Sequence, residues 1–271
     1  MFEYNFEKNC WRSIKKFFSH SIASPSVVVY KDSMYIFGGF HKEMTLQVFD
    51  HFYQFNFEDE KLLLLDQIDR PTARYGHTGI VYKQYMFLFG GQYDDDAITK
   101  DDYLWCYDFE EKKWECLDSK GDLPTPRWDH TCCLYKNKLI LFGGINRGGN
   151  KIKFSHDMFY ELDLDLLIWK EIKLKGDYPL KRMGHISIIY KNFMYIHGGI
   201  NWNYSVCSEL YKCDLDDPEF KFFNLSQNQA ILKARWGNKY IKNCRVCNIY
   251  CKFSIHSFFY SFFSEQRKIY L

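Results

Sequence analysis

The sequence repeats one pattern four times, and this repeat restricts the possible folds more than any other feature. In each copy an apolar stretch ends in a pair of glycines, at Gly38-Gly39, Gly90-Gly91, Gly143-Gly144 and Gly198-Gly199. The first glycines of successive pairs lie 52, 53 and 55 positions apart. A fixed period of about 50 residues is typical of repeat architectures in which each repeat forms one supersecondary unit. The sequence therefore predicts an array of similar units.

A tyrosine stands eight residues before each glycine pair and is followed at once by a lysine. The four tyrosines are Tyr30, Tyr82, Tyr135 and Tyr190. The residue after each lysine is Asp, Gln or Asn, and Asp and Asn are common in tight turns. Two apolar strands joined by a two-residue turn form a β-hairpin. Each unit is thus predicted to begin with two antiparallel strands.

Two further columns follow, a turn-prone Asn or Asp and a bulky residue six positions later. The pairs are Asn5 and Trp11, Asn56 and Leu62, Asp108 and Trp114, Asp163 and Trp169, and Asp214 and Phe220. They predict a second hairpin, so the strands of the second unit are expected at about 77–82, 85–89, 102–109 and 114–117. Trp114 and Trp169 are expected to lie as large plates between adjacent units. The glycine pairs permit positive φ and close backbone approach.

An arginine opens each unit after the first, in a motif that ends in His or Asn. The four copies are Arg74-Tyr75-Gly76-His77, Arg127-Trp128-Asp129-His130, Arg182-Met183-Gly184-His185 and Arg235-Trp236-Gly237-Asn238. With the glycine pairs and the Tyr and Trp columns, this motif resembles the kelch-repeat family of β-propellers, which includes galactose oxidase-like propellers. The first unit departs from the pattern, with Ile22 and Pro25 in place of Arg and His.

The resemblance implies an all-β, kelch-type β-propeller of four-stranded blades, with about four full blades and partial blades at both ends. We expect a propeller over residues 1–237, made of a partial blade at 1–20 and units at about 21–73, 74–126, 127–181 and 182–234. Kelch propellers resemble rings of six or seven blades, so the expected ring is incomplete. Residues 238–271 lose the repeat, and two interpretations of this divergent tail stay open, a non-native sequence and a disordered segment.

Charge and composition exclude several classes of function. The formal net charge is +2, and basic residues are scattered among acidic ones, which indicates neither nucleic-acid nor membrane binding. The N-terminus lacks the basic and apolar segments of a signal peptide, so we expect a cytoplasmic protein, with the nucleus as an alternative. In this setting the 10 cysteines are expected to be reduced thiols.

A search for catalytic or metal-binding motifs gives few candidates. Cys244, Cys247 and Cys251 could bind zinc, but no second ligand pair lies at the usual spacing. The recurring histidines of the opening motif stand at one phase of a structural repeat, which favours packing over catalysis. We therefore predict no catalytic residue, no metal and no cofactor, and a protein that is not an enzyme.

The loops after the second strand and the openings of the next unit are expected to share one rim of the propeller. Loops on a rigid scaffold commonly carry binding residues, and Arg, Trp and Tyr are frequent at interface hot spots. The predicted partner-binding residues are Tyr93, Trp202, Tyr204, Phe40, Arg147, Arg74, Arg127, Arg182, Trp128 and Trp236. The opening arginines have an alternative role, which is to brace neighbouring blades.

These residues predict a protein-interaction module that binds peptides or loops of partner proteins at the rim. The partners are unknown, and a narrower alternative makes them subunits and substrates of a cullin-type ubiquitin ligase. A second alternative is a metal-dependent, oxidoreductase-like propeller, which would require bound copper or iron.

Overall fold

The computed structural model of the chain describes residues 2–5, 8–14, 18, 21–65, 68–92, 104–148, 151–154, 159–217, 221–224 and 268–270. Every regular element in these ranges is a β-strand, as the sequence predicts. The alternation of apolar strands and short turns explains this, since the strands are rich in Val, Ile, Phe and Tyr. Most of the predicted 238–271 tail, and Trp236 before it, lie outside the described residues.

The first part of the chain forms a hairpin and a four-stranded sheet. The N-terminal hairpin consists of β1 (Phe2–Asn5) and β2 (Cys10–Ser13). The first sheet begins with β3 (Ser26–Tyr30) and β4 (Ser33–Phe37), continues past a two-stranded arm of β5 (Phe40–Lys42) and β6 (Leu46–Val48), and is completed by β7 (Phe52–Asn56) and β8 (Leu62–Leu64).

Three more sheets repeat this arrangement. The second contains β9 (Thr78–Tyr82), β10 (Tyr85–Phe89), β11 (Leu104–Asp108) and β12 (Lys113–Leu117). The third is built from β13 (Lys120–Gly121), β14 (Trp128–Tyr135), β15 (Lys138–Gly148), β16 (Lys151–Phe154), β17 (Phe159–Asp163) and β18 (Ile168–Ile172). The fourth uses β19 (Lys175–Gly176), β21 (Ile186–Tyr190), β22 (Phe193–His197), β24 (Leu210–Asp214) and β25 (Lys221–Asn224), beside a small pair of β20 (Arg182–Met183) and β23 (Ile200–Asn201). A last strand, β26 (Lys268–Tyr270), pairs antiparallel with β1.

The four main strands of each unit pair in their order along the chain, and all of these pairs are antiparallel. In the second sheet the order is β12, β11, β10, β9. The first strands β3, β9, β14 and β21 contact one another in succession, which places them at the centre and the fourth strands at the periphery. This radial arrangement of four-stranded sheets is that of a β-propeller.

The second and third sheets are each buried between two neighbours, which explains why their strands are apolar on both faces. Three hydrophobic clusters lie between the first and second, the second and third, and the third and fourth sheets. Trp114 and Trp169 are buried in two of them, in the positions predicted for the aromatic plates. In the fourth sheet the equivalent residue is Phe222, which pairs with Cys213 as Trp169 pairs with Leu162. Phe220, which the six-residue spacing from Asp214 predicts at this position, lies outside the described residues.

Candidate functional site

The glycine pair that ends each second strand meets the opening motif of the next sheet. Gly39 N donates to the carbonyl of Arg74 at 2.8 Å, and Gly91 N donates to that of Arg127 at 2.9 Å. All eight glycines of the four pairs have positive φ. The loops that leave the glycine pairs therefore lie at the same end of the propeller as the opening motifs, and this end is here called the rim.

The opening arginines are buried beneath the rim. The Nη1 atoms of Arg74, Arg127 and Arg182 donate to the carbonyls of Gly90, Gly143 and Gly198 at 3.1, 3.1 and 3.0 Å. Each Nε also donates to a carbonyl two residues earlier in the chain. Burial lowers the pKa of Arg127 to about 10. This placement favours the bracing role of the three arginines over contact with a partner.

Two other predicted contact residues are wholly or partly buried. Trp128 is buried at the start of β14, where its backbone pairs with Ile145. Phe40 is half-buried, with its ring centroid 4.7 Å from that of Tyr75 in the next opening motif. The hydroxyl of Tyr75 in turn donates to Gln92 Oε1 at 2.6 Å. Phe40 therefore stabilises the join between two loops of the rim.

The recurring histidines bridge neighbouring first strands. Nε2 lies 3.0 Å from Ser26 Oγ for His77, 2.8 Å from Thr78 Oγ1 for His130 and 2.9 Å from Thr131 Oγ1 for His185. Burial, together with the positive charge of Arg74, lowers the pKa of His77 to about 3. The His77 imidazole is therefore neutral at physiological pH and acts as a packing and hydrogen-bonding group.

A chain of backbone hydrogen bonds joins the opening motifs near the centre of the rim. Gly76 N donates to the carbonyl of Ser24, Asp129 N to that of Gly76, and Gly184 N to that of Asp129, at 3.2, 2.9 and 3.0 Å. Asp129 has a φ of 54° at a position where the other three motifs have glycine, and burial raises its pKa to about 6. Its signal in the sequence is a lone Asp in a column of glycines, which predicts no role until the fold is known.

The loop after the fourth glycine pair displays two of the predicted aromatic residues. Trp202 is 50% exposed and Tyr204 is 69% exposed. Asn201 holds this loop, because its Oδ1 accepts from the backbone of Asn203 and of Ser205, both at 3.0 Å. Its carbonyl also accepts from Tyr204 N at 2.9 Å, and Tyr204 adopts a φ of 60°. Eleven of the described non-glycine residues have such a positive φ, and most of them lie in tight turns.

The side chains of the remaining predicted contact residues are not among those that the structure describes. Tyr93 and Trp236 lie outside the described residues. The backbone of Arg147 pairs with Ile152 in the β15–β16 extension of the third sheet, but its side chain is outside the description. The cysteines of the possible zinc cluster also lie outside the described residues.

The described residues also bear on metal binding and on membrane insertion. They contain no group of three or more His, Cys, Asp or Glu side chains arranged to hold a metal ion. In the same residues, no helix combines the length and apolar character needed to cross a bilayer.

Comparison with known families gives a match over most of the chain. A family model described as the KLHDC2/KLHL20/DRC7 Kelch-repeats domain matches residues 20–242. Among solved structures, one titled "Structure of YjhT" aligns with a TM-score of 0.59 at 12% identity, covering 80% of this chain and 67% of that one. At this identity the structural likeness concerns the fold alone.

Several curated proteins share part of the sequence. Rho GTPase-activating protein gacHH of Dictyostelium discoideum is 34% identical over 48% of this chain and 8% of its own length. F-box/kelch-repeat protein At1g51550 of Arabidopsis thaliana is 30% identical over 55% of this chain and 32% of its own length. Kelch domain-containing protein 3 of Rattus norvegicus is 29% identical over 48% of this chain and 32% of its own length. The matched segments thus span a third or less of these relatives.

Proposed function

The chain belongs to the kelch-repeat family, and on this premise we propose that it is a protein-interaction module that binds a peptide or loop of a partner at its rim. Relatives with quite different names share part of this repeat sequence, which supports a role for the repeat as a recognition domain. The proposed contact surface is the loop of residues 200–207, called the 200–207 loop below.

The observation that carries the proposal is the rigid display of Trp202 and Tyr204. Both side chains are exposed, while Asn201 fixes the backbone that bears them. Trp and Tyr bury a large area with few rotatable bonds, and for that reason they are enriched at hot spots. A loop that is ordered before binding loses less conformational entropy when the partner docks. The 200–207 loop therefore combines suitable side chains with preorganisation.

Affinity purification from native lysate tests the proposal. Partners captured by the wild-type chain are compared with those captured by a Trp202→Ala/Tyr204→Ala variant, using quantitative mass spectrometry. A hot-spot aromatic contributes about 2 kcal/mol or more, so we expect at least a tenfold loss of a defined partner. Leu166→Ala is the matched control, because Leu166 is exposed in the β17–β18 turn at the opposite end of the propeller.

A second variant separates loop order from side-chain contact. Asn201→Ala keeps both aromatic residues but removes the acceptor that holds the loop. We expect intermediate capture, since the partner must then order the loop on binding. Equal capture by the wild type and the double variant, with both folded, would contradict binding through the 200–207 loop.

A narrower version of this function is substrate recognition for a ubiquitin ligase. It is supported by the similarity to a protein named as F-box/kelch-repeat. Under this version, cullin-type ligase subunits accompany the captured partner, and the partner becomes more abundant when the chain is depleted from cells. Capture of a partner without ligase subunits would support the interaction module and contradict the ligase role.

A further inference from the structure

Asp129 departs from the repeat at the centre of the rim. The other three opening motifs have glycine at this position, Gly76, Gly184 and Gly237. Glycine adopts positive φ without a steric penalty, whereas a residue with a Cβ does so at a cost in stability. Asp129 has a φ of 54°, close to the 66° of Gly76 and the 59° of Gly184. The fold therefore requires a glycine-like conformation here, and a charged residue adopts it.

The strand that contains Asp129 does not explain this conformation. Among the described non-glycine residues with positive φ, Asp129 is the one that lies within a strand, β14. Trp128 before it and His130 after it pair with residues of β15, but Asp129 itself does not. Its backbone instead binds the opening motifs on either side, as the glycines of those motifs also do. Glycine would serve the backbone equally well, so the reason for the aspartate lies in its side chain.

The carboxylate of Asp129 lies over Gly76 of the preceding motif. A Cβ added to Gly76 would stand 2.9 Å from Asp129 Oδ1, so the absence of a side chain at Gly76 makes room for the carboxylate. Burial is the sole cause of the raised pKa of Asp129, and no hydrogen bond or charge within the described chain counteracts it. Asp129 nevertheless keeps part of its surface exposed. The carboxylate is therefore poorly solvated but within reach of a partner.

This environment indicates which kind of group would bind. A partly desolvated carboxylate without a counter-charge is unfavourable, and residues kept at such a cost are found mainly at functional sites. One carboxylate is too few ligands for a metal ion, and the described part of the chain brings no group of three or more metal-binding side chains together. A lysine or arginine side chain supplies both the missing charge and N–H donors, and such charge-assisted hydrogen bonds are strong.

The 200–207 loop begins close to Asp129. The carbonyl of Asp129 accepts from Gly184 N at 3.0 Å. The residue before this glycine, Met183, pairs with Ile200 at the start of the loop. Two short backbone links thus join the carboxylate to the proposed contact surface, so one partner segment can contact both.

We propose that Asp129 binds a lysine or arginine side chain of the partner that docks on the rim. This inference rests on the proposed function and adds the chemical class of the group that is recognised. A bound basic side chain pairs with the carboxylate and offsets its poor solvation. A neutral or acidic side chain at the same place leaves the carboxylate unpaired, so Asp129 selects among partners.

Selection from a displayed library of random peptides tests the inference on the full chain. Peptides bound by the wild-type protein are sequenced, and we expect Lys or Arg to be enriched at one position. A selected peptide is then synthesised with that residue and with a neutral analogue, citrulline for Arg or norleucine for Lys. Fluorescence anisotropy should show about tenfold tighter binding of the basic peptide, as expected for a charge pair that is partly removed from water.

An Asp129→Asn variant completes the double-mutant cycle. Asparagine tolerates positive φ, so this variant keeps the backbone conformation. We expect its preference for the basic peptide to disappear, while the neutral peptide binds as tightly as it does to the wild type. Asp129→Gly restores the residue of the other motifs and serves as a second variant, with thermal unfolding as the check on the fold. Glu115→Gln removes a negative charge from an exposed position on β12 and should keep the full preference.

Two results would overturn the inference, namely selected peptides without enrichment of basic residues and an unchanged preference in the folded Asp129 variants. In either case, peptides that lose binding to the Trp202→Ala/Tyr204→Ala variant would still support the proposed function. A basic preference that depends on Asp129, in peptides that bind this double variant as tightly as the wild type, would support the inference and contradict binding through the 200–207 loop. A wild-type protein that selects no peptide would count against both.

Discussion

At the scale of single residues, each opening arginine binds two sheets at once. The carbonyl of Arg127 accepts from Gly91 N of the second sheet at 2.9 Å. Its guanidinium donates to the carbonyl of Gly143 in the third sheet and to both the carbonyl and the hydroxyl of Thr125. A planar guanidinium offers several donors in a fixed geometry, which explains why arginine recurs at this position.

Replacing Arg127 by lysine should therefore destabilise the protein although the charge is kept. The ammonium group cannot reproduce donors that reach Gly143 and Thr125 together, and a buried acceptor is left unsatisfied. We expect a loss of about 2–4 kcal/mol in the free energy of unfolding, measured by urea denaturation. Arg70→Lys is the control, because Arg70 pairs with Asp50 in a half-exposed position. An equally small effect of both substitutions would contradict the bracing role.

Asp129 combines an unfavourable backbone conformation with a buried carboxyl group. It has positive φ where the other opening motifs have glycine, and burial raises its pKa to about 6. Above pH 6 the folded protein must hold an ionised, poorly solvated carboxylate. Asp129→Gly should stabilise the protein by about 1 kcal/mol at pH 8, since the side chain keeps some exposure.

The gain from Asp129→Gly should shrink as the pH falls below 6, where the carboxyl group is neutral in the folded state. Asp129→Asn, which removes only the charge, separates the electrostatic part from the backbone part. Thermal unfolding of the three proteins at pH 8 and pH 4.5 measures both. A loss of stability at pH 8 in both variants would mean that the carboxylate makes a favourable contact.

At the scale of strands and sheets, most of the architecture could be predicted from the periodic sequence. The spacing predicts the strands of the second unit at about 77–82, 85–89, 102–109 and 114–117, and the structure has 78–82, 85–89, 104–108 and 113–117. The pattern succeeds because turn residues and apolar strands recur at fixed spacing. It fails where a loop changes length, as in the fourth sheet, where Phe222 rather than Phe220 faces Cys213.

The rim could be predicted less well than the sheets. Residue type alone does not distinguish an arginine that braces sheets from one that binds a partner, because both roles use the same donors. The burial of Arg74 and Trp128 and the exposure of Trp202 depend on neighbouring sheets that are distant in sequence. The arm formed by β5 and β6 likewise lies in a loop with no repeated pattern.

The join between sheets should be sensitive to any side chain added at the glycine pair. A Cβ on Gly90 would lie 2.5 Å from the carbonyl oxygen of Arg127 and 2.6 Å from the His130 ring, at a φ of 71°. Gly90→Ala should cost about 2–4 kcal/mol in the free energy of unfolding. Gly79→Ala is the matched control, because its φ is ordinary and its closest contact is the flexible end of Met86. Equal losses in chemical denaturation would argue against a specific clash at the join.

At the scale of the whole molecule, the burial of His77 next to Arg74 makes stability depend on pH. His77 has a folded-state pKa of about 3, against an ordinary value of 6.5. Between these values the unfolded chain binds a proton that the folded protein does not, so stability falls as the pH decreases. One such group contributes up to about 1.4 kcal/mol per pH unit. Asp129 has the opposite effect between its ordinary pKa of 3.8 and its folded-state pKa of about 6. In that range the folded protein binds the extra proton, so this group adds stability as the pH falls.

Comparison with a His77→Asn variant isolates the histidine from Asp129. The variant should be less stable than the wild type at pH 7, because the hydrogen bond to Ser26 is disturbed. As the pH falls from 6.5 to 4, the difference in the free energy of unfolding between the two proteins should narrow. Only the wild type loses stability over this range, because its folded state keeps His77 neutral. Urea unfolding at several pH values measures it, and a difference that does not change with pH would refute the buried neutral imidazole.

The central claim is that a rigid propeller presents the 200–207 loop to a partner protein, and site-specific photo-crosslinking tests it most directly. A photoreactive phenylalanine analogue is placed at Tyr204 in one protein and at Leu166, on the opposite end, in another. The account predicts that Tyr204 crosslinks to one defined partner in native lysate and that Leu166 does not. Crosslinking of that partner from Leu166 and not from Tyr204 would contradict the account.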